Sequence, residues 1–131
     1  MYGTELGKYD FSPKKNEDIN KALNLAKLWA INKTSTDSES IYEMYAFSRF
    51  LHFAKNNPNI KYSAITNSKG LVGFISYEVV SDKYAIGHFI KYDQSIKGLF
   101  YRLVYDSSLV LAELGVSFLN IEQDLGILHL R

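Results

Sequence analysis

YAIGHFIKYDQSIKGLFYRLVYDSSLVLAELGVSFLNI, residues 84–121, is the stretch on which the fold turns. Its first nine residues, YAIGHFIKY, read as a strand, and DQSIKG breaks that run. Apolar residues then return at helical spacing: Leu99, Phe100, Leu103, Val104, Val110, Leu111 and Leu114 form the expected buried face of a long helix. Gly115 stands where a helix C′ residue belongs, and VSFLNI reads as another strand. Two strands joined by one helix must pair in parallel, with a right-handed connection.

Upstream, the period is two. KYSAIT, the turn NSKG and LVGFISYEVV form a hairpin, and SDK turns the chain into YAIGHFIKY. Before NNPN, Met44, Phe47, Phe50, Leu51 and Ala54 lie on one helix face, and Pro58 forbids continuation. Thr36 and Glu39 have capping-box spacing at that helix's start. An earlier helix places Ile19, Ala22, Leu23, Ala26, Trp29 and Ala30 on its stripe, with Asn16 as a cap and Glu17 and Asp18 at its positive end. A short strand, Lys8 to Ser12, comes first and ends at Pro13. The order is β-α-α-β-β-β-α-β. This is an α+β fold whose mixed sheet holds an antiparallel meander and one parallel β-α-β crossover, with no further strands after it.

The bulk numbers exclude several classes. The chain has 131 residues, 47% of them hydrophobic and 15% aromatic, which describes a folded chain of single-domain length. Fifteen Lys and Arg against fourteen Asp and Glu leave a net charge of +1, and the basic residues form no stripe suited to duplex nucleic acid. There is no cysteine, so disulfide and thiolate chemistry are excluded. His52, His88 and His129 lack metal-ligand spacing, and no metal site is expected. MYGTELGKYDF lacks a signal-peptide core and no apolar run reaches membrane-spanning length, so a cytoplasmic protein, residues 1–131 a single domain, is expected.

Two segments carry chemistry. A helix that begins just after a strand aims its free N–H groups and positive dipole end past the strand, and Gly98 stands where the third helix starts. The second segment is NIEQDLGILHLR, residues 120–131, where Glu122 and Asp124 follow the last strand. One carboxylate there can serve as a general base on an amine or hydroxyl while the other orients a cation. Equally, the pair can cap the following turn or bind Arg131.

The element order resembles the GNAT superfamily of N-acetyltransferases. In that superfamily the strand-to-helix loop holds a pyrophosphate and reads Q/R-x-x-G-x-G/A. Here Gly98 alone fits, and either register places Ile96 or Phe100 at a glycine position, so weak coenzyme A affinity is expected. The run from HFIKYD through IKGLFYRL to FLNIEQDLGILHLR is more closely similar to the C-terminal domain family of phosphatidylglycerol lysyltransferases. His88, Phe89, Lys91, Lys97, Gly98, Asn120, Glu122, Asp124, Leu125, Gly126, Leu130 and Arg131 match that family's pattern, with Trp29, Glu43 and Val72 matching upstream. Ile90 stands where the family has glutamate. Family members also continue past the leucine-arginine with a lysine, an aromatic and a proline, and usually carry a preceding acyltransferase-like domain.

This resemblance implies a single GNAT-like acyltransferase domain that uses aminoacyl-tRNA as acyl donor, or less favourably acetyl-coenzyme A, and a small-molecule or lipid acceptor entering between splayed strands. It implies Glu122 and Asp124 as catalytic groups and His88, Lys91, Lys97, Gly98, Asn120 and Arg131 as substrate-binding ones. Lys91 and Lys97 bracket the loop and can hold phosphate or the terminal adenosine of a tRNA, or else are solvated loop charges. His88, mid-strand among apolar residues, can equally be a satisfied core histidine. A non-catalytic binding or assembly module is the other class left open. The last strand, with its apolar VSFL, would be an exposed edge, so a homodimer or partner domain is expected to cover it.

Overall fold

The computed structural model describes residues 5–31 and 37–120. Its elements are β1 (Gly7–Tyr9), α1 (Asn16–Ile31), α2 (Asp37–Ala54), β2 (Ile60–Asn67), β3 (Gly70–Ser81), β4 (Tyr84–Tyr92), α3 (Leu99–Glu113) and β5 (Phe118–Asn120). The order is the one the periodicities dictate. The strands form one sheet in the order β1-β2-β3-β4-β5, antiparallel throughout except that β4 and β5 run parallel. Glu122, Asp124 and Arg131 lie outside the described residues, as do Thr36 and the side chain of Trp29.

Strand alternation gives the sheet two apolar faces. Ala64 and Phe74 join Ile19, Ala22 and Ala26 of α1 and Phe47 and Leu51 of α2 on one face. Ile65, Ile75 and Tyr77 join Leu99, Leu103 and Leu111 of α3 on the other. Burying both faces of a sheet removes most of the apolar surface that a chain this size must hide.

On α3 the expected face is only partly the observed one. Leu99, Leu103 and Leu111 are buried, but Val110 and Leu114 are 37% and 50% exposed, while Asp106 and Ser107 turn inward. The steps from 99 to 103 to 107 to 111 fix the inner line, and residues 110 and 114 fall beside it. Ser107 is accommodated there because its hydroxyl lies 2.9 Å from the Leu103 carbonyl oxygen, which accepts its proton, and 2.9 Å from Ser63 Oγ. The Asp106 carboxylate accepts from Arg102 Nε at 3.2–3.3 Å, a helical i,i+4 pair.

The end of α3 and the start of α1 are set locally. Gly115, with φ +80°, ends α3: its N–H donates to the Ala112 carbonyl at 3.1 Å and the Val116 N–H to the Leu111 carbonyl at 2.9 Å. That is a Schellman ending, with Val116 and Leu111 sharing a core cluster. At the start of α1, Asp18 does more than complement the dipole. It is fully buried, and its carboxylate accepts from Tyr9 Oη at 2.5 Å and Ser12 N–H at 2.9 Å, tying β1 to the helix.

Candidate active site

Strand β4 supplies most of the polar groups. Pairing with β3 runs Ser76↔Phe89 and then Tyr77↔Gly87, so His88 is an extra residue on β4, a β-bulge. The bulge resets the alternation, and consecutive side chains share one face: the rings of His88 and Phe89 both lie 5.1 Å from Phe50 of α2. His88 Nε2 sits 2.8 Å from Glu78 Oε1 of β3. The two side chains are 32% and 30% exposed, so the pair is in contact with solvent while packed on an aromatic wall. A carboxylate on one imidazole nitrogen fixes the tautomer and orients the ring.

Three residues on, Lys91 is not a solvated loop charge. It is 2% exposed, its ammonium pairs with Glu43 Oε2 of α2, and the rings of Phe89 and Phe47 lie 5.8 and 6.0 Å from Nζ. The pairing joins residues 48 positions apart, which no local pattern could reveal.

Beyond Tyr92 the loop folds on itself. The Asp93 N–H donates to the Val72 carbonyl at 2.9 Å, and Asp93 Oδ1 accepts from Ser95 N–H at 2.9 Å and Ser95 Oγ at 2.6 Å. Lys97 and Gly98, both exposed, close the loop. Gly98 caps α3 in the left-handed region, φ 80°, with no side-chain hydrogen bond and no acidic residue in the first turn. In α1 the acidic Glu17 and Asp18 occupy the first turn; α3 leaves its positive end uncompensated. Ile96 and Phe100, expected to crowd that end, pack against the α3-side core, Phe100 with its ring 5.7 Å from Tyr92.

On the far side of β4, Asn120 of β5 pairs with Ile86, and its Nδ2 donates to Tyr84 Oη at 3.1 Å. The structure thus places His88, Lys91 and Asn120 along β4 and β5, and Lys97 and Gly98 at the loop's end. Two acidic partners escape a reading by spacing alone. Glu78 is the one charge within an otherwise apolar strand segment, LVGFISYEVV, and that isolation was its signal. Glu43 matches the resembled family but lies among helix-surface charges. Among the described residues no group of three His, Asp or Glu is placed to hold a metal, and no helix is long and apolar enough to cross a membrane.

No family model matches this chain, and no curated protein matches it. Solved structures do. PaiA N-acetyltransferase from Thermoplasma acidophilum, in complex with coenzyme A, superposes with a TM-score of 0.67 at 14% identity, covering 86% of this chain and 75% of that one. An aminoglycoside acetyltransferase from an uncultured soil metagenomic sample, in complex with sisomicin, gives 0.61 at 13% identity over 91% and 76% of the two chains. The ribosomal-protein-alanine N-acetyltransferase from Brucella melitensis gives 0.60 at 11% identity over 92% and 79%. At such identities the likeness is one of fold: this chain has the GNAT-like acyltransferase fold.

Proposed function

We propose that this protein is an acyltransferase that moves an acyl group from a coenzyme A thioester to a primary amine, with His88 and Glu78 as the proton-accepting pair. The observation that carries the reading is that pair, 2.8 Å apart and partly exposed, with His88 at the bulge of the strand that leads to α3, whose Gly98 N-cap brings no side-chain hydrogen bond. The uncompensated helix end suits an anionic donor. Ile96 and Phe100, partly buried, pack against the α3-side core, a placement that supports a coenzyme A thioester as the donor. Two of the similar structures support the donor and acceptor classes by what they hold, coenzyme A in one and an aminoglycoside in the other.

In the proposed step the acceptor nitrogen attacks the thioester carbonyl and its proton passes to His88. The new C–N bond forms as the C–S bond breaks, and the thiolate leaves as coenzyme A. Glu78 holds the imidazole and compensates the imidazolium. Glu122 and Asp124, next in sequence after β5, enter the proposal as carboxylates that orient the acceptor's cation, with Arg131 as their counter-charge. Asn120 holds β5 on β4, and a homodimer or partner domain covers the β5 edge.

A second reading keeps the fold and changes the donor to aminoacyl-tRNA, with a lipid amine or hydroxyl as acceptor. It is favoured by Lys97, exposed beside Gly98 and without a partner among the described residues, and by the asparagine-to-arginine block of the resembled lysyltransferase family. The test is thiol release from acetyl-coenzyme A with a panel of amines, beside loss of the aminoacyl group from charged tRNA. His88→Gln and Glu78→Gln are expected to lower kcat/KM by roughly 10²–10⁴-fold without loss of fold. Full activity in both variants would remove the pair from the chemistry. Silence with every donor would leave a non-catalytic module.

A further inference from the structure

We propose that the outer face of α3 is a self-docking surface, on which a second copy of this chain packs in the reverse direction. Among the described residues α3 leaves more large apolar or aromatic side chains in water than any other element. Tyr101 and Tyr105 are 75% and 60% exposed, and Leu109, Val110 and Leu114 are exposed as well. The outermost line runs Tyr101, Tyr105, Ser108, Ala112, all exposed, at steps of four, three and four, the spacing of a seam between two helices. It carries no charge. By contrast, the outer face of α1 is an ordinary solvated one, with Glu17, Asn20, Lys21, Asn24 and Lys27 exposed.

Two features of the line select the same helix, reversed, as its occupant. The first is size. Tyr101 and Tyr105 lie toward the start of α3, and the small Ser108 and Ala112 toward its end. Reversal sets Tyr101 opposite Ala112 and Tyr105 opposite Ser108, in both copies at once, as a two-fold contact requires. Large against small lets two helices close to about 8–10 Å. A parallel copy would set tyrosine against tyrosine and leave a gap between the small residues. The Ser108 hydroxyl already donates to the Tyr105 carbonyl at 2.7 Å, so it enters a dry seam satisfied.

The second feature is charge. Lys97 and Glu113 are exposed at opposite ends of α3, and neither forms an ion pair among the described residues. Each sits where its own helix dipole repels it, the cation at the positive start and the carboxylate at the negative end. No acidic residue in the first turn and no basic residue in the last offsets this. A reversed copy brings its Glu113 to Lys97 and to the helix start, twice per pair. A parallel copy would bring lysine to lysine. Two tyrosines and a leucine from each copy bury on the order of 1,000 Å² in all, the lower limit of a specific interface. Because α3 packs on β2 and β3, two strands in from β5, this surface is separate from the β5 edge. The pairing needs neither an acyl donor nor an acceptor.

The test begins with sedimentation velocity of the whole chain at high micromolar concentration. Self-association is expected, and Tyr105→Glu, at an exposed position, should weaken it at least about tenfold with unchanged circular dichroism. Lys97→Glu and Glu113→Lys should each weaken it roughly threefold or more, and the chain carrying both should recover it. The chain has no cysteine, so oxidative cross-linking of single-cysteine variants reads the orientation. A mixture of Tyr101→Cys and Ala112→Cys chains is expected to give the mixed disulfide. Neither should cross-link to itself, because in a reversed pair like positions lie about 16 Å apart along the axis. Self-cross-linking of the Tyr101→Cys chain would show a parallel pair and overturn the orientation. A doubly reversed chain no better than the single ones would overturn the pairing of the ends. A monomeric parent chain, or association unchanged by Tyr105→Glu, overturns the inference and leaves the face to another occupant.

Discussion

Removing Glu43 is expected to unfold this protein far more readily than removing Lys91, although the two form one ion pair. The reason is the asymmetry of burial: the Lys91 side chain is 2% exposed and that of Glu43 37%. Glu43→Ala withdraws a carboxylate paired with an ammonium that is buried beside the Phe47 and Phe89 rings. Breaking a fully buried pair costs roughly 3–5 kcal/mol; with one partner open to water the cost here should be smaller, about 1–3 kcal/mol, and it arises because the ammonium stays desolvated. Lys91→Met leaves a carboxylate that water already reaches, and fills the space with an apolar chain of similar length. The change should fall within about 1 kcal/mol of neutral, since apolar replacements of buried charge are often neutral or stabilising. Adding Lys91→Met to the Glu43→Ala background should then recover most of the lost stability. Urea unfolding followed by circular dichroism measures all three chains. Equal destabilisation by the two single substitutions, or a double variant no better than Glu43→Ala, would refute the reasoning and place the pair's worth in its packing.

Gly73→Val should lower stability by about 1–3 kcal/mol through overpacking, read as a lower Tm. A Cβ at residue 73 lies 3.1 Å from Leu103 Cδ1 and 3.3 Å from Leu99 Cδ1, and both leucines are fully buried; an unchanged Tm would show that α3 can shift freely on the sheet. Burial raises the phenol pKa of Tyr62 and Tyr77 above the usual 10.0. The native chain therefore keeps protons that the unfolded chain gives up, so stability should fall as pH rises past about 10, with their phenolate absorbance appearing only on unfolding. Ionisation of every tyrosine in the folded chain at its ordinary pH would contradict this. Light scattering at high micromolar concentration should give a dimer mass, since β5 is an edge strand among the described residues; a monodisperse monomer would count against it.

Much of the architecture is local and was therefore legible in the residues. A period of two in β2, β3 and β4, a period near 3.6 in α3 and the breaks at Pro58, Gly70 and Gly115 determine the element order, and a single helix between β4 and β5 forces a parallel pair. Tertiary structure decided which groups meet. The bulge at His88 adds one residue without changing the apolar pattern, yet it turns two neighbouring side chains to one face. Lys91 reads as exposed because lysine usually is, and only the approach of α2 reverses that by bringing Glu43 onto it. Glu78 reaches His88 across a register that periodicity does not fix. Side-chain burial on α3 likewise follows from how it packs on β2 and β3, which buries Ser107 and leaves Val110 partly exposed. Hydrophobic periodicity encodes each element's own faces, because it is set by backbone geometry within the element. Pairing between elements depends on how those faces are pressed together, and that is a property of the packed chain.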